Sequence, residues 1–256
     1  MSDAPRQYHI QCAPGDVGGY VLLPGDPGRV EPIAQRLDAA RRVADNREYC
    51  TWTGALDGVA VSVCSTGIGG PSAAIAAEEL CKLGAHTLLR VGTCGGMQPG
   101  QRLGDVVVVQ ATVRDEGTSR QYIPIAWPAT AHLDVIDALR RAAQQTGARW
   151  HAGTVQSKDS FYGEMEPDRM PVAAELRARW DAWIAAGVLA SEMECAALFS
   201  VAAVRRVRAG AALGIVNVTP LQEAMPEPDQ LPIDTVMDVA VAAMRLLIAG
   251  DRATPR

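Results

Sequence analysis

Three glycine-rich stretches suggest where this chain could do chemistry, and two of them carry an arginine suited to holding an oxyanion. The first is Pro24-Gly25-Asp26-Pro27-Gly28-Arg29 and the third is Arg90-Val91-Gly92-Thr93. Arg90 ends an otherwise apolar run, where an unpaired guanidinium would be costly to bury. Its planar fork can be satisfied by a carboxylate or by a bound oxyanion gripped bidentately. Thr93 adds a hydroxyl and Gly25 an amide. A further arginine, Arg47, lies in Asn46-Arg47-Glu48-Tyr49. For any single arginine, a carboxylate partner is the simpler reading. Two arginines beside glycine turns that end strands favour an anion site. The second stretch, Thr66-Gly67-Ile68-Gly69-Gly70, falls short of the dinucleotide spacing G-x-G-x-x-G, and no acid follows at a strand end about 20 residues on.

Glu192-Met193-Glu194 opens a helix over Cys195–Val204. Carboxylates at a helix start are favoured by the helix dipole, which is one reading of this pair. The other is that Glu194 accepts hydrogen bonds from a vicinal diol such as the 2′,3′-diol of ribose. His9 stands among polar residues and reads as a surface histidine. Cys94 reads as a small packed residue beside Thr93. No zinc spacing and no serine or cysteine triad signature is present.

The elements that must position these groups alternate between strand-like and helix-like patterns, which argues for an α/β architecture. Strands are expected at Tyr20–Leu23, Val59–Ser65, Thr87–Val91 and Asp105–Gln110. The all-valine core of the last suits a strand covered on both faces. Pro71 starts a helix that runs over Ser72–Leu83 and stops at Gly84. Later helices follow the 3.6-residue period through Leu133, Ile136 and Leu139, through Leu176, Trp180 and Trp183, and through Ile233, Val236, Ala240, Met244 and Leu247. Phe161–Pro171 and Asn217–Leu231 read as long loops of the kind that form lids or pocket walls.

Composition narrows the classes. The chain has 256 residues, 48% of them hydrophobic, and a net charge of −5. It is expected to form a single domain over residues 1–256. The charges are dispersed, which argues against nucleic-acid and membrane surfaces as partners. No apolar run reaches the roughly 20 residues needed to span a bilayer. The polar start lacks a signal-peptide core, and six cysteines form no CxxC pair. These features predict a reduced, cytoplasmic protein.

Six stretches together carry a resemblance: LLPGDPGRV (22–30), NREYCTW (46–52), CSTGIGGPSAAIAAEEL (64–80), LRVGTCGG (89–96), SKDSFYG (157–163) and SEMECAAL (191–198). They closely resemble uridine phosphorylases, within the family that also holds hexameric purine nucleoside phosphorylases and nucleosidases. The resemblance runs in order from about residue 8 to 217. It implies a three-layer αβα fold with a central mixed, barrel-like sheet, and a hexamer built as a trimer of dimers. It implies phosphorolysis of a pyrimidine ribonucleoside, with inorganic phosphate as co-substrate and no required cofactor. Phosphate would be held by Gly25, Arg29, Arg90 and Thr93, with Arg47 arriving from a neighbouring subunit. Arg29, Arg90 and Glu194 would carry the catalysis. His9 of the neighbour, Met193 and Glu194 would hold the ribose, and Phe161, Glu164, Met165, Ile215 and Val216 would surround the base. Glu48, Ile68 and Ser72 match positions that bind a potassium ion in some relatives.

The departures fall on the base. Uridine phosphorylases place a Gln and an Arg shortly after Phe-Tyr to read uracil. Here Glu164 or Met165 takes the place of the Gln, and the nearest arginine, Arg169, is out of register. Val218 follows Asn217 where an arginine often stands, and where the purine enzymes carry a catalytic Asp. An ionised Glu164 can accept from the uracil N3–H but not donate; a protonated Glu164 could donate. The expected substrate is uridine or a modified uridine. The alternatives are another or relaxed base choice, a hydrolytic nucleosidase, a non-catalytic nucleoside-binding protein, and a dinucleotide oxidoreductase based on Thr66–Gly70.

Overall fold

The computed structural model describes residues 5–218 and 232–253. One sheet takes its strands from Tyr20 to Val218. Five of them close on themselves: β5 (Thr87–Gly96), β10 (Arg208–Val218), β6 (Val106–Asp115), β8 (Trp150–Lys158) and β9 (Ala190–Glu192), with β9 returning to β5. From β5 the sheet continues as an open arm through β1 (Tyr20–Pro24), β4 (Val59–Cys64), β3 (Tyr49–Leu56) and β2 (Asp38–Asn46). A short β7 (Ala129–Thr130) extends β6. Pairing is parallel for β1 with β4 and β5, and antiparallel for β10 with β6. The expected mixed, barrel-like sheet is therefore what forms.

Two apolar layers flank it. On one side α2 (Gly70–Lys82) and α6 (Cys195–Arg205) bury Ala74, Ala77, Leu80, Leu198, Phe199 and Val201. On the other, α1 (Val30–Ala34), α3 (Leu133–Gln145) and α7 (Asp234–Ala253) bury Val30, Ile33, Leu139, Val236 and Met244. Of the stripe expected in α7, Val236, Ala240, Met244 and Leu247 are buried, while Ile233 precedes the helix and is only partly buried. In α3 the expected face is off by part of a turn. Leu133 is 79% exposed, and Val135, Ala138, Leu139 and Ala142 form the inner stripe. Leu133 directly follows the N-cap His132, whose ring accepts from the Asp134 N–H, so it precedes the first turn that reaches the core.

Two further expectations change. Gly92–Gly96 is no turn, because β5 runs straight through it, paired with β10 on one side and β9 on the other. Phe161–Pro171 is no loop. Ser160 caps α4 (Phe161–Met165) through a 2.9 Å bond from the Gly163 N–H, and a single 3-10 turn, Pro167–Arg169, follows. The helix α5 (Ala173–Ala185) keeps Leu176, Trp180 and Trp183 only half-buried. Of the stretch Asn217–Leu231, residues 219–231 lie outside the described part. No helix among the described residues is long and apolar enough to cross a membrane.

Candidate active site

The carboxyl ends of β1, β5, β9 and β10 open into one cleft of about 660 Å³, where ligands of open α/β sheets bind. Gly25, Arg29, Arg90 and Thr93 line it together with Met193, Glu194, Phe161, Glu164, Met165 and Val216. Residues spread from 25 to 216 in the chain thus meet in one place. Ile215 does not join them. It is fully buried, and beyond it Val216 and Asn217 line the cleft, where the pairing register of β10 with β5 shifts.

Arg90 is the centre of the charge arrangement. It lies mid-strand between Leu23 of β1 and Ala211 of β10 and is 5% exposed. Its Nε donates to Glu192 Oε2 at 3.2 Å and its Nη2 to Glu194 Oε2. The remaining nitrogen, Nη1, is buried without a hydrogen-bond partner. It lies 3.8 Å from where a side chain on Gly25 would begin. Burial opposes the Arg90 charge, but Glu194 and Glu192 outweigh it and hold the guanidinium firmly protonated. Two of its nitrogens therefore serve carboxylates, as the simpler reading expects, and one is left without a partner.

Arg29 stands near it, mostly shielded from solvent, with Asp26 Oδ2 3.7 Å away. Burial lowers its pKa, Asp26 opposes that, and the charge of Arg90 lowers it further. Two guanidiniums facing the same partly buried space repel each other until an anion lies between them.

The Glu-Met-Glu segment divides its two carboxylates between two jobs. Glu192 accepts from the N–H groups of Glu194 (2.8 Å) and Cys195 (3.0 and 3.1 Å) and from the Ser157 hydroxyl, so it caps the start of α6. Glu194 instead takes the Gly69 N–H at 2.6 Å as well as Arg90. Gly69 has φ of +91°, a conformation glycine adopts readily. The second glycine stretch therefore serves Glu194 and the start of α2. Burial raises the Glu194 pKa above the usual carboxylate range, Arg90 pulls it back, and Glu192 adds to the rise. Cys94 is buried and its thiol pKa is pushed up by desolvation, which leaves it inert as a nucleophile.

Gly92 is needed for this geometry. A Cβ there would fall 2.8 Å from Arg90 Cζ, Arg90 Nη2 and Leu213 Cδ2. Arg90 cannot give way while two carboxylates hold it. Gly92→Ala is expected to destabilise the fold by about 1–3 kcal/mol through overpacking and to raise the KM for the bound anion. Thermal melting and anion kinetics check it; a variant unchanged in both would show that Arg90 has other room.

His9 and Arg47 are not brought into the cleft of their own chain. The His9 ring Nδ1 is 2.7 Å from Glu79 Oε1, and Asn46 Nδ2 donates to the His9 carbonyl oxygen at 2.7 Å. Arg47 follows Asn46 in a turn at φ of +56° and is exposed. The two residues thus share one patch. Glu48, Ile68 and Ser72 do line the cleft, and Ser72 Oγ donates to the Ile68 carbonyl at 3.0 Å.

Lys158 and Ser191 also face the cleft and were not singled out from the sequence. Lys158 Nζ lies 2.6 Å from Glu164 Oε2. This ion pair places a cationic donor beside Glu164 on the cleft wall. Their sequence signal was that both lie in stretches that carry the resemblance, SKDSFYG (157–163) and SEMECAAL (191–198).

Residues 20–249 match the phosphorylase superfamily. The chain is 50% identical over 246 residues to the uridine phosphorylase of Treponema pallidum, covering 96% of this chain and 95% of that protein. It is 41% identical to the uridine phosphorylase of Escherichia coli, with 94% and 98% covered. It is 38% identical to a guanosine phosphorylase of Halorubrum lacusprofundi, with 95% and 97% covered. With the family's match covering most of the chain and the cleft assembled from the same segments, this chain belongs to the phosphorylase superfamily.

Proposed function

We propose that this chain is a uridine phosphorylase, a pentosyltransferase that converts uridine and inorganic phosphate to uracil and ribose 1-phosphate. The observation that carries the anion half is the unpartnered Arg90 Nη1, buried beside Gly25 and near Arg29. A phosphate there would accept from Arg90, Arg29, the Gly25 amide and the Thr93 hydroxyl. Glu194, which lines the cleft beside Met193, accepts from the ribose diol, with Met193 beside the sugar and Phe161 against the base.

The reaction follows from that placement. A phosphate oxygen approaches C1′ from the face opposite the base. The C1′–N bond breaks with its electron pair leaving on the base, and the sugar gains oxocarbenium character. The phosphate stabilises that cation and then bonds to C1′. Alignment of the two reactants is worth about 7–11 kcal/mol where orientation is good. No cofactor enters these steps.

His9 and Arg47 complete the cleft of a second copy, in a hexamer of three dimers. Their common patch supports this, as do the exposed Tyr8 (71%) beside His9 and Ile68 (79%) at the cleft rim. Glu48, the Ile68 carbonyl and Ser72 supply hard oxygen donors at the same rim, which fits a potassium ion shared between two copies. Six free thiols fit a cytoplasmic location.

The test is to incubate the protein with uridine, thymidine, cytidine, inosine, guanosine and adenosine, with and without phosphate, and follow free base by chromatography. Phosphate-dependent uracil release, with ribose 1-phosphate as co-product, is expected. Base release without phosphate would make the protein a nucleosidase. Faster release of guanine or hypoxanthine than uracil would overturn the assignment of the base.

A further inference from the structure

The cleft wall holds an ion pair where the resemblance leads one to expect a glutamine and an arginine. Lys158 closes β8 and is 8% exposed. Its Nζ lies 2.6 Å from Glu164 Oε2 on α4 and donates to Ser191 Oγ on β9 at 2.6 Å. The Ser191 hydroxyl donates in turn to Glu164 Oε2 at 2.5 Å. Behind them, Gln156 Nε2 donates to Asp115 Oδ2 at 2.7 Å, and Arg179 Nη1 to Asp115 Oδ1 at 2.7 Å, which fixes the wall from outside.

Counting donors and acceptors shows what is left for a ligand. An ammonium carries three protons, and Lys158 spends two on Glu164 and Ser191. Both contacts to the carboxylate fall on Oε2, which leaves Oε1. One Lys158 proton and Glu164 Oε1 are therefore left without a protein partner, on two residues that line the cleft.

We propose that Lys158 and Glu164 together read the lactam edge of the base, and that Lys158 takes up the negative charge of the departing base. The proposal rests on the phosphorolysis reading above. A ring carbonyl oxygen accepts the spare Lys158 proton, and the adjacent ring N–H donates to Glu164 Oε1. Uracil offers this pair as O4 and N3–H. Cytosine and adenine offer an unprotonated ring nitrogen beside an amino group, which sets a lone pair against the carboxylate and protons against the ammonium. When the C1′–N bond breaks, the electron pair enters the base and spreads onto its carbonyl oxygens. A fixed, largely buried ammonium at such an oxygen then interacts more strongly than in the ground state, which is the condition for accelerating the step.

The test compares wild type, Lys158→Met, Glu164→Gln and the double variant on uridine and on 5-nitrouridine, whose base leaves more readily. Loss of one charge-assisted bond corresponds to roughly tenfold to a hundredfold, so Lys158→Met should lose that much kcat/KM on uridine and much less on 5-nitrouridine. Uracil binding by calorimetry, with phosphate present, should weaken in the same variant. Glu164→Gln should narrow the preference for uracil over cytosine, since an amide can turn its donor to the cytosine ring nitrogen. The double variant strands neither charge, so it should melt near wild type yet keep the steep dependence on the leaving base. Equal losses on both nucleosides, or a shallow dependence in a well-folded double variant, would overturn the proposal while wild-type turnover leaves the phosphorylase reading standing. A wild type that binds uracil over cytosine through these residues but releases none from uridine would overturn the phosphorylase reading instead.

Discussion

Replacing Arg90 by methionine is expected to lose most of the phosphate-dependent activity and much of the stability together. Methionine fills similar space but leaves Glu192 and Glu194, 4% and 5% exposed, with no cation between them. Breaking a buried pair from one side typically costs about 3–5 kcal/mol, because the stranded charge stays desolvated. At roughly 2–4 °C per kcal/mol for a chain of this size, melting should fall by about 6–20 °C. The kinetic loss comes from Nη1, the one nitrogen free for the phosphate, and removal of such a donor costs about 10²–10³ in rate. Arg90→Lys separates the two effects. It keeps a charge near the carboxylates but cannot serve both and also reach the anion, so melting should largely recover while kcat/KM for phosphate stays low. Normal phosphate kinetics in the lysine variant would remove Arg90 from the phosphate site.

The second large effect is expected at Glu194. Glu194→Gln keeps an oxygen for the Gly69 N–H but gives up the carboxylate charge in the cleft, to which the proposed function assigns the ribose diol. Two charge-assisted bonds to a diol, at about 1.5–3 kcal/mol each, predict a loss in kcat/KM of a hundredfold or more. The loss should shrink on 2′-deoxyuridine, which has only one of the two hydroxyls. The same residue sets a pH dependence. Burial raises the Glu194 pKa above the ordinary carboxylate range. Protonation removes the acceptor charge, so kcat/KM should fall as pH drops through that raised value, at higher pH than an ordinary glutamate would give. The glutamine variant should lack this acid limb. An unchanged limb in Glu194→Gln would assign it to another group.

Much of this architecture could be read from residue patterns, and the failures share a cause. The strands at Tyr20, Val59 and Thr87 and the stripe of α7 stand out because their apolar residues follow a period set by burial. β10, Arg208–Val218, is buried along all but its last residue, yet its run of alanine and glycine shows no strand composition. β2 is an exposed arm, DAARRVADN, with no apolar face to betray it. The site divides in the same way. Arg29, Arg90 and Glu194 announce themselves as charges in apolar or glycine-rich settings. Their partnerships do not, because Arg90 meets Glu194 across 104 positions and Gly69 meets Glu194 across 125. The Lys158–Glu164 pair is close in sequence but is made at the junction of a strand and a one-turn helix that had read as a loop. Glutamate at position 164 therefore looked like a deficit when its complement stood six residues earlier.

The closed ring of strands and the outer helix α5 also imply that the walls of the cleft differ in how readily they open. Arg90 and Thr93 sit on β5, which like β1 is paired on both sides and threaded through the core. Phe161, Glu164 and Met165 reach the cleft from α4, which meets α5 near Gly163 and Leu176, and α5 buries none of its 13 residues. Amide hydrogens of a segment held by so few buried contacts exchange through small local openings, whereas those of β5 wait for the whole fold to open. The wall formed by α4 and α5 is thus expected to open locally while Arg90 on β5 stays in place.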